Sequence, residues 1–193
     1  MTLSFDPIML EFPEQFETER LIVRATRPGD GAELNAAISE SREALIPFMP
    51  FARVLPEPEE TERLMRRKRL QYLERTDLMM LMTERETGKI LGASGLHRFD
   101  WNVRRFEIGY WVRTPYAGRG LVTEAVRGLT DFAVRHLEAN RIEIRCDDRN
   151  ERSAAVAKRA GFAIEGVLRN WQREDDGTLV NEMVFAKIRD VDF

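Results

Sequence analysis

The stretch from Glu107 to Ala125 constrains this chain more than any other. It begins as a strand, with Phe106, Ile108, Tyr110 and Val112 alternating against Glu107, Gly109, Trp111 and Arg113; aromatic and branched residues favour the pleat. It ends as a helix, with Leu121, Val122, Ala125, Val126, Leu129, Phe132, Ala133 and Leu137 at helical spacing. Between them lies a turn holding Pro115, Gly118 and Gly120. A strand passing through a glycine turn into a helix N-terminus builds an anion site. The first N–H groups of the helix have no partner, its dipole is positive there, and glycine lets a phosphate come close to the backbone. No Lys-Ser/Thr pair follows, so the turn is not a Walker loop, and the third glycine of the dinucleotide fingerprint is missing. Taken alone, the stretch reads equally well as an ordinary strand–turn–helix connection.

The rest of the chain supplies the context. Residues 1–16 are apolar and proline-spaced without a period, and are expected to form an irregular lead packed on the domain. Thr18 to Thr26 reads as a first strand around Leu21 and Val23. Pro28-Gly29-Asp30 opens a helix whose buried face is Leu34, Ala37, Ile38 and Leu45, and Pro47 to Phe51 breaks it. A second helix runs from Pro58 to about Arg75. Leu78–Glu84, Ile90–Phe99 and the strand of the opening stretch are joined by short turns and should form an antiparallel meander. After the central helix, Arg141–Cys146 is a short strand reached by a crossover, which favours parallel pairing with the fourth. Glu151–Ala160 is a short helix closed by Gly161 as a left-handed cap. Phe162–Arg173 and Leu179–Ile188 are strands flanking an Asp175-Asp176-Gly177 turn. The order is one α/β domain over 1–193, its core about 18–188, with a mixed, mostly antiparallel sheet of seven strands and about four helices.

Composition enters as exclusion. The 193 residues carry a net charge of −3 with acids and bases interleaved, so neither a nucleic acid nor an anionic membrane is an expected partner. The single cysteine, Cys146, allows no internal disulfide and reads as a small buried hydrophobe in a reducing compartment. No basic-then-apolar leader and no membrane-length apolar run is present, so the expectation is the cytoplasm.

In this order and spacing, three motifs resemble the GCN5-related N-acetyltransferases, particularly their Rim-type ribosomal-protein branch. They are Glu107-Ile108-Gly109-Tyr110-Trp111, then Gly118-x-Gly120-Leu121-Val122-Thr123-Glu124-Ala125, then Asn150-x-x-Ser153 followed by Gly161-Phe162. The resemblance spans about Thr18 to Ile188. It implies a sheet splayed between the fourth and fifth strands and acetyl-coenzyme A as co-substrate, with no metal. The pantetheine would pair with main-chain groups of Trp111, Val112 and Arg113. The pyrophosphate would sit on Gly118, Arg119, Gly120, Leu121, Val122 and Thr123. Pro115 departs from the family's usual Gln or Arg at the start of the turn.

The resemblance further implies that Asn150 and Ser153 face the pantetheine arm and the thioester sulfur. Structurally, Asn150 is also a good N-cap and Ser153 an ordinary first-turn residue. Many family members protonate the departing thiolate with a Tyr on this helix. Ala157 stands there, and no Tyr follows Tyr116, which leaves Ser153 as the candidate acid. Glu107, a carboxylate in an apolar strand beside the splay, is the candidate base, since desolvation raises a carboxyl's pKa. The alternative for Glu107 is an ion pair with Arg104, Arg105 or Arg113. Backbone N–H groups of a bulged strand near Val112 are the candidate oxyanion donors. His97, Trp171 and Arg173 are candidate acceptor-side residues, His97 also as a second base. The acceptor is a primary amine, either a protein N-terminus or a small molecule such as a polyamine, amino-acid derivative or antibiotic. A non-catalytic acyl-coenzyme A binding module is the competing class. The resemblance is also compatible with a homodimer.

Overall fold

The computed structural model describes residues 5–193. One sheet carries eight strands in the order β1-β2-β3-β4-β5-β6-β8-β7. They are β1 (Gln15–Glu17), β2 (Leu21–Ala25), β3 (Leu78–Glu84), β4 (Ile90–Asp100), β5 (Arg105–Val112), β6 (Arg141–Asp147), β7 (Ala163–Arg173) and β8 (Leu179–Ile188). The helices are α1 (Gly31–Leu45), α2 (Pro58–Leu73), α3 (Leu121–Leu137) and α4 (Glu151–Arg159).

The eighth strand corrects the expected seven and the expected irregular lead. Gln15, Phe16 and Glu17 pair with Arg24, Val23 and Ile22, and Phe16 lies so close to α3 that a methyl at Gly128 would stand 2.5 Å from its ring. Residues 1–4 of that lead lie outside the described residues.

The strand alternation sorts the core into two faces. Leu78, Met80 and Met82 of β3 and Phe106 and Ile108 of β5 meet the apolar face of α3 and α4, including Leu129, Phe132, Val156 and Ala157. Leu81, Ala93 and Trp111, one position out of phase, meet Leu34, Ile38, Leu45 and Met65 of α1 and α2. The helix ends follow their local chemistry. Glu57 and Glu60 form a capping box at α2, Asn150 Oδ1 accepts from the Ser153 N–H at α4, and Gly161, at φ +85°, caps α4 at its other end.

β3, β4 and β5 form the expected antiparallel meander. Between β5 and β6 the pairing is parallel and short. Arg105, Phe106 and Glu107 face Arg141, Ile142 and Glu143, and no further pair follows. β5 stays bonded to β4 as far as Val112, and β6 to β8 as far as Asp147. The sheet therefore splits beyond Glu107 and Glu143, as the resemblance implied. The bulge expected near Val112 is absent. The register of β5 is regular from Val112 to Glu107, and the irregularity lies in β4 between His97 and Asp100, where Arg98 adopts φ +47°.

Candidate active site

The split leaves one edge of β5 unpaired. Arg113 donates its N–H to Leu91 O at 2.7 Å, so odd-numbered residues of this strand turn their main-chain groups toward β4. Ile108, Tyr110 and Val112 turn theirs into the gap. Of Trp111, Val112 and Arg113, Val112 alone offers its amide there. The Arg113 side chain is buried and bonded to Glu40 at 2.5 Å and to Ile90 O at 3.3 Å. Trp111 packs on the α1 side against Phe51.

At the mouth of the gap, the backbone turns through Gly118 (φ +76°) and Gly120 (φ +80°), a left-handed conformation that a side chain disfavours. The Ala117 N–H is bonded to Thr114 O and the Glu124 N–H to Gly120 O. Among the described residues, none of the amides from Gly118 to Thr123 has a protein partner. They converge at the positive end of a 17-residue helix, and the Thr123 hydroxyl is buried without a partner. Such an arrangement of backbone amides can hold an anion. Glu124 does not oppose it, because its carboxylate is turned aside to Thr18 Oγ1 (2.6 Å), the Arg20 N–H (2.8 Å) and Arg20 Nε (2.7 Å). Burial pushes that carboxyl up, but these three donors outweigh burial and hold it below its ordinary value. The Arg119 guanidinium lies over the Tyr116 ring with no carboxylate partner among the described residues.

On the α3/α4 side of the gap, Ser153 Oγ is 2.9 Å from the Tyr110 hydroxyl, which also lies 3.2 Å from Ser153 O. A tyrosine hydroxyl thus reaches Ser153 from the strand and not from the helix. Sequence order concealed it, because Tyr110 reads as an inward strand residue and meets Ser153 only across the split. Burial pushes the Tyr110 hydroxyl up to about 12, opposed in part by the Ser153 bond. Burial also pushes the Cys146 thiol up, so it stays protonated and poorly nucleophilic.

On the opposite face, Glu107 borders a cavity of about 280 Å³ lined by Arg98, Arg105, Phe106, Glu143, Arg145 and Trp171. Its two oxygens lie 3.0 and 2.9 Å from Arg98 Nη1, an arginine outside the three expected partners, brought round by the β4 bulge. Burial raises the Glu107 carboxyl, and Arg98 and Arg145 oppose it. Below it, Arg145 bridges Glu143 (2.9 Å), Glu182 (3.3 Å) and Glu107 (3.7 Å). Glu143 itself is only 5% exposed and also holds Arg141 at 2.5 Å. Trp171, 53% exposed, lines the cavity under Arg145. Arg173 instead donates to Gly177 O at 2.8 Å and braces its own hairpin. His97 bonds Asp77 on the α1/α2 face.

The chain as a whole is similar to known proteins. Residues 20–163 match the family described as Acetyltransferase (GNAT) domain. YdaF of Bacillus subtilis (strain 168), provisionally named a ribosomal N-acetyltransferase, is 32% identical over 167 residues, 86% of each chain. The ribosomal-protein-serine acetyltransferase of Escherichia coli (strain K12) is 30% identical over 92 residues, 48% of this chain and 50% of that one. Among solved structures, the microcin C7 self-immunity acetyltransferase MccE, in complex with acetyl-CoA and AMP, superposes with TM-score 0.84 at 21% identity, covering 92% of this chain and 97% of its own. RimL, a ribosomal L7/L12 alpha-N-protein acetyltransferase in complex with coenzyme A, gives 0.84 at 20% identity, covering 91% and 98%. The protein is an acyltransferase. It belongs to the GNAT acetyltransferase family.

Proposed function

We propose that this protein transfers the acetyl group of acetyl-coenzyme A to a primary amine by direct attack, with a protein N-terminal amine as the acceptor. The observation that carries this reading is the run of free amides from Gly118 to Thr123 beside the unpaired edge of β5. That run fits a pyrophosphate, and the open edge at Ile108, Tyr110 and Val112 fits an amide-bearing arm. The thioester carries the acetyl group, and the chain's residues bind it and move protons on its two sides. The Val112 amide is assigned to the developing oxyanion. Ser153, bonded to Tyr110, donates a proton to the departing thiolate from the α4 side. Glu107, on the other face, takes a proton from the amine, which must be neutral to attack. Asn150 holds Ser153 in place through its N-cap bond. The acceptor enters past Trp171 and His97.

The resemblance to YdaF and to the serine acetyltransferase favours a ribosomal protein N-terminus over a small amine. Among the described residues no helix is long and apolar enough to cross a membrane, and we assign the reaction to the cytoplasm. A homodimer is part of the same reading. β7 is the sheet's outer strand and exposes Ile164, Val167 and Leu168, an edge that a second copy would cover. Light scattering at twice the 22.4 kDa chain mass supports that assembly, and the single-chain mass removes it.

The acceptor is tested by following thiol release with acetyl-coenzyme A over ribosomal-protein N-terminal peptides and small amines. Release with peptides only is expected. Release with small amines alone overturns the acceptor assignment. In the same assay Glu107→Gln lowers kcat about 100-fold or more with coenzyme affinity unchanged; normal turnover at saturating amine removes Glu107 as base.

A further inference from the structure

Glu107 is not the only group on its face of the gap able to take a proton. His97 is its direct partner across β4 and β5, and alternation puts both side chains on the α1/α2 face with Trp111. The imidazole is held at one end. Nδ1 lies 2.7 Å from Asp77 Oδ2. Asp77 in turn is fixed through Oδ1, which accepts the Met79 N–H at 3.0 Å and lies 3.3 Å from Lys68 Nζ of α2. Burial pushes the Asp77 carboxyl up, but His97 and Lys68 outweigh it and keep it ionised, below its ordinary value. An ionised carboxylate only accepts, so in the neutral ring Nδ1 carries the proton and Nε2 has its lone pair free.

The other end of the ring is kept clear. Gly95 and Gly109 face each other across the two strands, and the imidazole leans over both. A methyl at Gly95 would stand 3.2 Å from Nε2, and one at Gly109 would stand 3.1 Å from Cδ2 and 3.3 Å from Nε2. The ring therefore occupies space that side chains at these positions would fill. Nε2 is about equally near the two glycines, over the seam of β4 and β5, and β5 is the strand that borders the split. Among the described residues Nε2 has no hydrogen-bond partner, and the side chain remains 30% exposed.

We propose that His97 is a second proton acceptor of the acceptor site and that Asp77 is the residue that positions it. This rests on the amine-acetylation reading above. The incoming R–NH3+ gives one proton to Nε2, leaving R–NH2 with its lone pair free to attack and His97 as imidazolium. Glu107 takes the second proton that the nitrogen sheds as the C–N bond forms. Asp77 holds the ring through Nδ1, and the exposed ring returns its proton to water. Glu107, with both oxygens on Arg98, is the more encumbered of the two bases. The charged groups around His97 are Asp77, Lys68 of α2, Glu107 of β5 and the adjacent Arg98 of β4.

The test uses His97→Ala, His97→Gln and Asp77→Asn in the full chain. Coenzyme affinity of all three, read by calorimetry, should match the parent. Loss of binding in the parent itself would refute the acetyl-transfer reading and is thereby kept apart from failure of this proposal. His97→Ala should lose about 100-fold in kcat at saturating amine and recover at least tenfold with added imidazole, an effect that a packing defect does not show. Asp77→Asn should lower kcat with little change in amine KM. In the free protein, nitrogen-15 spectra of histidine should show the neutral His97 ring protonated at Nδ1 and bare at Nε2, and Asp77→Asn should mix the tautomers. Full activity in His97→Ala and His97→Gln, absence of imidazole rescue, or a ring protonated at Nε2 in the parent would each overturn it.

Discussion

Replacing Arg145 by Ala should uncouple the base of the split and do so in a pH-dependent way. The guanidinium bridges three carboxylates, Glu143 at 2.9 Å, Glu182 at 3.3 Å and Glu107 at 3.7 Å. Without it, Glu143 keeps Arg141 and Glu107 keeps Arg98, while Glu182 loses its one cation among the described residues. Breaking a buried pair costs about 3–5 kcal/mol. Arg145 is 22% exposed and two of its partners retain a second arginine, so water and those arginines reduce the loss to about 2–3 kcal/mol at pH 7. The sign with pH follows from Glu143. Burial raises its carboxyl, but Arg141 and Arg145 outweigh burial and leave it lowered. A lowered carboxyl contributes stability above its unfolded value, near 4.3, that is lost as pH falls through the folded value. Removing Arg145 raises Glu143 and raises Glu107 further, so in the variant protonation relieves the repulsion at a higher pH than in the parent. The deficit should therefore shrink to about 1 kcal/mol or less near pH 4.5. Urea titrations followed by far-ultraviolet circular dichroism at both pH values, at equal ionic strength, measure it. An equal deficit at both would mean that lost packing, not charge, is responsible. A deficit under about 0.5 kcal/mol at pH 7 would mean that Arg145 does not hold these carboxylates.

Two further substitutions probe the gap. Gly120→Val puts a β-branched residue at φ +80°, which should cost about 1–2 kcal/mol of stability and weaken coenzyme A binding at least tenfold by displacing the amides of the turn; unchanged affinity in calorimetry would remove the turn from the site. Tyr110→Phe should lower kcat less than Ser153→Ala does, and the double variant should match Ser153→Ala, because the two hydroxyls act as one unit. Additive losses in thiol-release kinetics would show independent roles.

The fold was legible because its signals are local or periodic. The alternation from Phe106 to Arg113, the two glycines of the turn and the apolar face of α3 each state their element within a few residues, and Gly161 closes α4 where its position said it would. What escaped depends on contacts between distant segments. β1 is three residues long, too short to show a period, and exists because β2 pairs with it and Phe16 finds α3. The β4 bulge, which brings Arg98 rather than Arg104, Arg105 or Arg113 to Glu107, has no signature in the run Leu96 to Asp100. Tyr110 reaches Ser153 across 43 residues, and Asp77 reaches His97 across 20. Trp171 and Arg173 share a strand and looked equivalent as lining residues, yet the hairpin at Gly177 claims the arginine.

We assign the seat of acetyl-coenzyme A to the amides from Gly118 to Thr123 together with the open edge of β5. Calorimetric titration of the full chain with acetyl-coenzyme A tests it most directly. One molecule should bind per chain, with an affinity that weakens as salt rises, because the pyrophosphate is held by oriented amides and a helix dipole. No detectable binding at millimolar coenzyme, or binding indifferent to Gly120→Val, would contradict it.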